Sequence, residues 1–347
     1  MKNNVVFTSR VFNENKGGNS RYAHALKNGL LENGWTVNVK KVFRNKYISA
    51  AQEVSLNLIP QKGIIHYLCD TGQLFHTRNQ TVTTVHGIAS LHNFGIRSSS
   101  QEYVWRKRVE LALKMSDIVI TPSESSKKDL ADVFNVHLDK IIVIKHGIDH
   151  DKFHSLKNHQ DLQLLSTLSS VPSNYILYIG NLDPRKNLAT LLKATQSRYW
   201  PSEIPLVIVG KFAWGDRHLL ESIYSNKKVI YLGQLGDEYI APLYRNAELF
   251  VFPSLYEGFG FPILEALACG TPVLTTTRGN LSTFQLKGQL VIEDPLDPEE
   301  IAKKACDTLG KSRIDLEIVE QGLKLASNYR WQNSVKSHIE VYGNLTS

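Results

Sequence analysis

The chain has 347 residues, of which 42% are hydrophobic, enough to bury the cores of two domains of ordinary size. Its three isolated cysteines argue against a disulfide framework or a zinc site, and it has neither a secretory hydrophobic region nor an uninterrupted run of about 18 apolar residues. The formal net charge of +7 comes without a nucleic-acid-binding motif, which disfavours nucleic acid as a partner.

Short apolar runs alternate with longer helical patterns along the sequence, which is typical of βα units on a parallel sheet. Residues 152–173 show no clean period and are predicted to be a linker between two α/β halves. A closing helix is predicted over residues 329–342. The predicted strands of the first half are Val5–Thr8, Thr36–Val42, Gly63–Tyr67, Thr81–Val85, Ile118–Thr121 and Ile141–Ile144. Those of the second half are Tyr175–Ile179, Leu206–Val209, Val229–Leu232, Leu249–Phe252, Val273–Thr275 and Gln289–Ile292.

Candidate functional positions in the first half lie where predicted strands end. Gly17-Gly18 follows the first strand and its loop, and its bare backbone suits either close approach to a phosphate or an ordinary turn. His86 follows the fourth strand, so its side chain is expected to point toward a bound ligand, unless it only caps the strand. Asp149-His150-Asp151 has a metal-binding form, but it sits at the exit of the first domain and we expect it to be structural.

The positive charge is concentrated in the first half. Residues 1–150 hold 20 Lys and Arg against 12 Asp and Glu, a net +8, whereas residues 151–347 hold 20 against 21, a net −1. Two basic segments of this half would either bind an anionic membrane surface or form charged faces that only water contacts. One basic segment is a predicted helix in which Arg106, Lys107 and Arg108 follow Trp105. The other is the run Lys40, Lys41, Arg44 and Lys46.

The most informative stretch of the second half is Glu257-Gly-Phe-Gly-Phe-Pro-Ile-Leu-Glu265. Pro262 fits the first turn of a helix, so Glu257 precedes the helix and Glu265 lies inside it. The two glycines let the backbone approach a ligand, and the unpaired N–H groups of a helix start attract an anion such as a diphosphate. Both carboxylates are then placed to accept hydrogen bonds from sugar hydroxyls. The alternative is a glycine-rich turn before an ordinary amphipathic helix.

Two adjacent cations, Arg185 and Lys186, follow the predicted strand that ends before Gly180. In a partly closed site they would neutralise a diphosphate through charge-assisted hydrogen bonds, and the alternative is a solvated loop pair. Neither half carries Gly-x-Gly-x-x-Gly after a strand, which disfavours a nicotinamide cofactor.

These motifs resemble those of the group 1 retaining glycosyltransferases, which have the GT-B fold. Glu-x7-Glu followed by Ala266–Val273 matches the family's pattern, and further landmarks occur in the same order along nearly the whole chain. They are Gly17-Gly18-Asn-Ser-Arg21, Thr84-Val-His86-Gly87, Thr121-Pro-Ser123, His146-Gly147-Ile-Asp149 and Gly180–Asn187. The resemblance implies two Rossmann-like, doubly wound parallel-sheet domains facing across a cleft. We place them at residues 1–160 for the acceptor and 170–328 for the nucleotide sugar, with residues 329–347 crossing back to the first.

The resemblance also implies roles for individual residues. Glu257 binds hydroxyls of the transferred sugar, Glu265 holds the ribose hydroxyls, and Lys186 matches the family's lysine. In many relatives an arginine directly follows the motif's glycine, where this chain has Asn181, so Arg185 is the candidate for its role. His86 is expected near the reacting centre. The remaining donor-binding candidates are Gly17, Gly18, Leu235 in the loop after its strand, and the backbone of Gly258, Phe259, Gly260 and Phe261.

The activity implied is retaining, metal-independent transfer of a hexose from a UDP- or GDP-sugar to a hydroxyl acceptor, with no other cofactor. The basic first half suits a lipid-linked oligosaccharide at the inner face of the plasma membrane, in exopolysaccharide or surface polysaccharide synthesis by a cytoplasmic or peripheral protein. An inactive nucleotide-sugar-binding protein stays open because of Asn181. A phosphorylase or epimerase of the same shape also stays open.

Overall fold

The computed structural model describes residues 3–8, 10–13, 17–40, 61–70, 73, 76–88, 98–168, 170–212, 217–284, 290–310 and 316–346. The chain forms two compact units, Met1–Gly147 with Arg330–Ser347, and Ile148–Tyr329. Each unit has a six-stranded sheet in which all the neighbouring strands run parallel. This confirms the predicted α/β class, and all twelve predicted strands are present in the described part of the chain.

The first unit orders its strands β2-β1-β3-β4-β5-β6. Val5 of β1, next to the edge strand β2, pairs with Val37 on one side and Ile64 on the other. Helix α2 begins with a capping box, because Ser98 and Gln101 exchange side-chain and backbone hydrogen bonds. The elements are β1 (Asn4–Thr8), α1 (Gly18–Glu32), β2 (Thr36–Lys40), β3 (Ile64–Tyr67), β4 (Thr81–Thr84), α2 (Ser99–Met115), β5 (Ile118–Thr121), α3 (Glu124–Phe134) and β6 (Ile141–Val143).

The second unit orders its strands β12-β11-β10-β7-β8-β9, with the first strand at the centre next to the fourth. Its β strands are nearly all buried on both faces, as expected for a sheet covered by helices on both sides. The elements are α4 (His159–Ser166), β7 (Ile176–Ile179), α5 (Leu188–Ala194), β8 (Leu206–Val209), α6 (Arg217–Tyr224), β9 (Val229–Tyr231), α7 (Ile240–Asn246), β10 (Leu249–Phe252), α8 (Phe261–Ala268), β11 (Val273–Thr276), β12 (Val291–Ile292), α9 (Pro298–Leu309) and α10 (Leu316–Ser327).

The last helix, α11 (Trp331–Thr346), belongs to the first unit and packs on α1. Val335, Val341 and Tyr342 of α11 lie in the same hydrophobic core as Tyr22 and Leu26 of α1. Gly29 allows this close approach, because a side chain there would collide with Val335. The C-terminal residues therefore complete the core of the first unit.

The structure places the boundary between the units at Gly147, earlier than the predicted residue 160, and the linker predicted at residues 152–173 is wrong. Part of that segment forms α4, which begins where Asn158 accepts a hydrogen bond from the Asp161 backbone N–H at 2.8 Å. Asp161 in turn forms a buried ion pair with Arg245 of α7 at 2.6 Å. This pair fixes α4 on the second unit.

Of the predicted basic run, Lys41, Arg44 and Lys46 lie outside the described residues. Among the helices that the structure describes, none is both long enough and apolar enough to cross a membrane.

Candidate functional site

The candidate site lies where the strand order of the second unit reverses. β7 and β10 are neighbours, and the chain leaves β7 toward β8 on one side and β10 toward β11 on the other. In open α/β sheets, ligands bind beyond the carboxyl ends of the strands at such a switch point. The loop after β7 carries Asp183, Arg185 and Lys186, and the loop after β10 carries Ser254 and Glu257.

Three donors converge on one oxygen of Glu257. Its Oε1 accepts hydrogen bonds from Lys186 Nζ at 2.5 Å, from Arg185 Nη1 at 2.8 Å and from Ser254 Oγ at 2.6 Å. The side chains of Arg185, Lys186 and Glu257 are only 9–15% exposed. The sequence predicted these three residues for one site, and the structure brings them together.

Asp183 orients Arg185. Its carboxylate accepts the Arg185 backbone N–H at 2.8 Å, which caps the short 3-10 helix Pro184–Lys186, and it lies 3.5 Å from Arg185 Nη2. Arg185 Nη1 also donates to the Tyr256 carbonyl at 2.7 Å, and the Leu255 N–H donates to the Arg185 carbonyl at 2.9 Å. These bonds join the two loops. We call Asp183, Arg185, Lys186 and Glu257 the charge cluster.

The charge cluster is electrically balanced and buried, which sets the protonation of its members. Burial alone would raise the pKa of Glu257, but the charges of Arg185 and Lys186 outweigh it and hold that pKa below its usual value. Burial lowers the pKa of Lys186, against the opposing attraction of Glu257. The Lys186 ammonium also lies 4.6 Å from the centre of the Phe252 ring, a cation–π contact.

The backbone around Glu257 is held by the loop after β11. The Asn280 N–H donates to the Glu257 carbonyl at 2.9 Å, and Asn280 Nδ2 donates to the Phe259 carbonyl at 2.7 Å. Gly279 has a positive φ of 62°, and a side chain there would collide with the Glu257 backbone. Glu257 is therefore positioned by backbone as well as by its charge partners.

The predicted glycine-rich stretch does lead into a helix. Gly260 adopts the left-handed conformation with φ of 98° at the N-cap of α8, and Pro262 occupies the first turn as expected. The Phe259 side chain packs in the hydrophobic core, 4.8 Å from the Phe261 ring. Glu265 is buried in α8, at 3% exposure. Leu235 packs partly buried against the same core, after Gly233.

Of the other predicted positions, Gly17, Gly18 and His86 lie in the first unit, whereas Asp149 lies at the start of the second. Gly17 has a positive φ of 103° and immediately precedes α1, so Gly17 and Gly18 form the start of that helix. Asp149 caps a turn by accepting the Asp151 and Lys152 backbone N–H groups at 3.1 and 3.2 Å. The Asp149 carboxylate therefore pairs with backbone N–H groups of its own turn.

His86 uses both ring nitrogens within the first unit. Its Nε2 lies 3.0 Å from the Leu68 carbonyl, which can only accept, so Nε2 carries the proton. Its Nδ1 then accepts from His146 Nε2 at 3.2 Å. Burial lowers the pKa of His86, with Asp70 opposing, so the ring is expected to be neutral.

A second set of buried polar groups links α11 to the rest of the first unit. We call Ser334, His338, Tyr22, Thr84, His66 and Tyr342 the histidine relay, because each is hydrogen-bonded to the next at 2.6–2.9 Å. His338 Nδ1 must donate to the Ser334 carbonyl, because a carbonyl can only accept. In a neutral relay this fixes the direction of each of the other hydrogen bonds. Burial lowers the pKa of His338 to about 4 and that of His66 well below its usual value.

Sequence reasoning missed Asp183, Ser254 and the histidine relay. The sequence Asp183-Pro184 is typical of the start of a short helix, and Pro253-Ser254 is typical of a turn. Neither pattern indicates a contact with Arg185 or Glu257. The relay joins residues 22, 66, 84 and 338, whose proximity no local pattern indicates.

Comparisons with known proteins agree with this architecture. The family model described as "Glycosyl transferases group 1" matches residues 166–322, and the model described as "Glycosyltransferase Family 4" matches residues 64–152. O-antigen chain mannosyltransferase B from Escherichia coli is 29% identical over 277 residues, covering 77% of this chain and 71% of that protein. An uncharacterized glycosyltransferase from Methanocaldococcus jannaschii is 30% identical over 232 residues, covering 65% of this chain and 59% of that protein.

The fold also matches solved structures. Anabaena HepE in complex with UDP-glucose superposes with a TM-score of 0.77 at 17% sequence identity, covering 97% of this chain and 98% of that one. At this level of identity the likeness concerns the fold alone.

Proposed function

We propose, because this chain belongs to the group 1 glycosyltransferases of GT-B type, that it transfers a hexose with retention of configuration from a nucleoside diphosphate sugar to a hydroxyl acceptor. The observation that carries the proposal is the convergence of Arg185 and Lys186 on Glu257 at the switch point of the second unit. Two cations and a carboxylate there suit a diphosphate that bears a sugar.

The cations have a chemical task in this reaction. As the bond between sugar and diphosphate breaks, negative charge grows on the leaving phosphate oxygen, and Arg185 and Lys186 are placed to stabilise it in a poorly solvated site. In the proposed mechanism the acceptor attacks from the face that the diphosphate leaves, and its proton passes to the departing phosphate oxygen. No metal ion and no separate general base are required.

Glu257 has a complementary task. In the free protein its Oε1 is shared by Arg185, Lys186 and Ser254. When a diphosphate attracts the two cations, the carboxylate becomes available as an acceptor for hydroxyl groups of the sugar. Donor binding is thus proposed to exchange one set of charge-assisted hydrogen bonds for another.

The relatives favour mannose as the transferred hexose and a surface polysaccharide as the product. The Escherichia coli relative is an O-antigen chain mannosyltransferase. We therefore propose an oligosaccharide acceptor, carried on a lipid, and test GDP-mannose first among the donors.

Purified protein is expected to be thermally stabilised by one nucleotide family, because a ligand that binds only the folded state raises its melting temperature. The panel contains UDP-, GDP-, ADP- and dTDP-sugars, each with magnesium and with EDTA. A shift that is equal in EDTA supports the metal-independent mechanism. Loss of the shift in EDTA contradicts metal independence, and no shift with any donor contradicts the proposed function.

An inactive nucleotide-sugar-binding protein is the second candidate, since Asn181 stands where many relatives have arginine. The side chain of Arg185, however, reaches Glu257 and occupies the charge cluster. Sugar transfer or slow donor hydrolysis by a protein that shows the thermal shift would exclude the inactive alternative.

Helix α2 carries the proposed membrane-facing surface of the first unit. Tyr103 and Val104 are 64% and 57% exposed, and Arg106 and Lys107 are exposed beside them. Lys107 and Lys114 are partly neutralised, because both form ion pairs with Glu110 at 2.9 and 2.7 Å. Aromatic and apolar groups next to basic ones suit the surface of an anionic bilayer that carries the lipid-linked acceptor.

Sedimentation with vesicles that contain phosphatidylglycerol is expected to show binding at low salt that weakens as salt is added. Replacing both Arg106 and Lys107 by alanine should lower the affinity roughly 30-fold, at about 1 kcal/mol for each basic residue. Lys227→Ala with Lys303→Ala removes the same charge from exposed positions of the second unit and is the matched control. Equal losses in the two pairs would show a net-charge effect and remove α2 from the proposal.

A further inference from the structure

Tyr178 on β7 has a hydroxyl for which the structure gives no partner. The side chain is 0% exposed, and its oxygen makes no hydrogen bond within the described part of the chain. An unpaired buried hydroxyl destabilises a folded protein, so phenylalanine would suit the free protein better at this position. We therefore expect the hydroxyl to pair with a group that the free protein lacks, such as a bound ligand.

The hydroxyl lies beside the charge cluster. The Tyr178 ring centroid is 6.2 Å from that of Phe252 on the neighbouring strand β10, and the Phe252 ring carries the Lys186 ammonium at 4.6 Å. Both strands end at the switch point. Tyr178 therefore lies next to the loops that carry Arg185 and Glu257.

Gly180 leaves the hydroxyl uncovered by a side chain at the carboxyl end of β7. Residues 178 and 180 lie on the same side of the strand, and a Cβ at position 180 would be 3.3 Å from the Tyr178 hydroxyl oxygen. Glycine has no such atom. Residue 180 therefore places no side chain over the hydroxyl.

The phenol is a neutral group in this environment. Burial raises the pKa of Tyr178 far above its usual value, and Asp183 and Glu257 raise it further, with Arg185 opposing. A neutral phenol keeps its proton and donates it to an acceptor oxygen. Oxygens that Arg185 and Lys186 attract are the acceptors this position would meet.

We propose that the Tyr178 hydroxyl is a donor-binding group, which donates a hydrogen bond to an oxygen of the bound nucleotide sugar. This inference rests on the proposed function. The contact forms only in the donor complex, so it strengthens donor binding without stabilising the free protein. Diphosphate and sugar oxygens share the required chemistry, and the probes below distinguish them.

The test is the dissociation constant of Tyr178→Phe by calorimetry with GDP, GDP-mannose, UDP and UDP-glucose, together with its melting temperature without ligand. The variant is expected to bind the effective donor about tenfold more weakly and to melt at or above the temperature of the unaltered protein. Weaker binding of both the nucleoside diphosphate and its sugar assigns the contact to the diphosphate. Weaker binding of the sugar nucleotide alone assigns it to the sugar.

Tyr175→Phe is the matched control. Tyr175 immediately precedes β7 at its opposite end, is 1% exposed, and donates its hydroxyl proton to the Leu243 carbonyl at 2.8 Å. Its loss should lower the melting temperature and leave donor binding unchanged. Unaltered donor binding by Tyr178→Phe, or a lower melting temperature without ligand, would overturn the inference. If the unaltered protein binds none of the four probes and no ADP- or dTDP-sugar either, the proposed function itself fails.

Discussion

Lys186→Ala is expected to lower kcat by roughly 100- to 1,000-fold, the usual effect of removing one group that stabilises charge in a transition state. Lys186 is buried, pairs with Glu257 at 2.5 Å and is placed to meet the leaving diphosphate. Its charge matters most when negative charge grows on that group. The donor dissociation constant should therefore change much less than kcat.

The measurement is initial rates of sugar transfer together with donor binding by calorimetry. Lys193→Ala is the control, because Lys193 is an exposed lysine on the adjacent helix α5 and its removal changes the net charge equally. Equal losses of turnover and binding, or no loss of either, would contradict the role assigned to Lys186.

Stability is expected to fall steeply as the pH drops below about 6.5, because the first unit buries neutral histidines. Burial lowers the pKa of His66 and His146 well below the usual value of 6.5, and that of His338 to about 4. The unfolded chain then binds more protons than the folded one between these values. Each such histidine removes roughly 1.4 kcal/mol of stability per pH unit in that window, and the contribution of these histidines no longer changes above about pH 7.

Urea unfolding between pH 7.5 and 4.5 measures this loss, and His338→Gln tests its origin. Glutamine can donate to the Ser334 carbonyl and accept from the Tyr22 hydroxyl, as His338 does, but it does not titrate. This variant should therefore lose less stability per pH unit. His137→Gln is the control, because that side chain is 83% exposed. Identical slopes for both variants would exclude His338 as a source of the acid sensitivity.

The sequence was sufficient for features that local patterns encode. Apolar runs predicted all twelve strands, and Pro262 predicted the start of α8. Motif resemblance placed Arg185, Lys186 and Glu257 in one site. The linker was wrong because α4 has only eight residues, and its stability comes from the ion pair between Asp161 and Arg245 rather than from its own period.

The parts that could not be predicted depend on contacts between distant segments. Asp183 acts on the Arg185 guanidinium, and Tyr178 is notable only because no described group satisfies its hydroxyl. Neither property is visible in the order of residues along the chain. A tyrosine in or next to a strand has the same appearance in the sequence whether its hydroxyl is paired, as for Tyr175, or unpaired, as for Tyr178.

The position of α11 has a consequence for how the protein is made. The second unit is one continuous segment, Ile148–Tyr329, whereas the first unit needs Arg330–Ser347 to complete its core. During synthesis, the whole second unit is translated before Val335, Val341 and Tyr342 are added to the chain. The second unit therefore has all its residues before the first unit does, and the apolar surface around Tyr22 and Leu30 is covered only when α11 has been made. Termination of translation before α11 would damage the unit that was translated first.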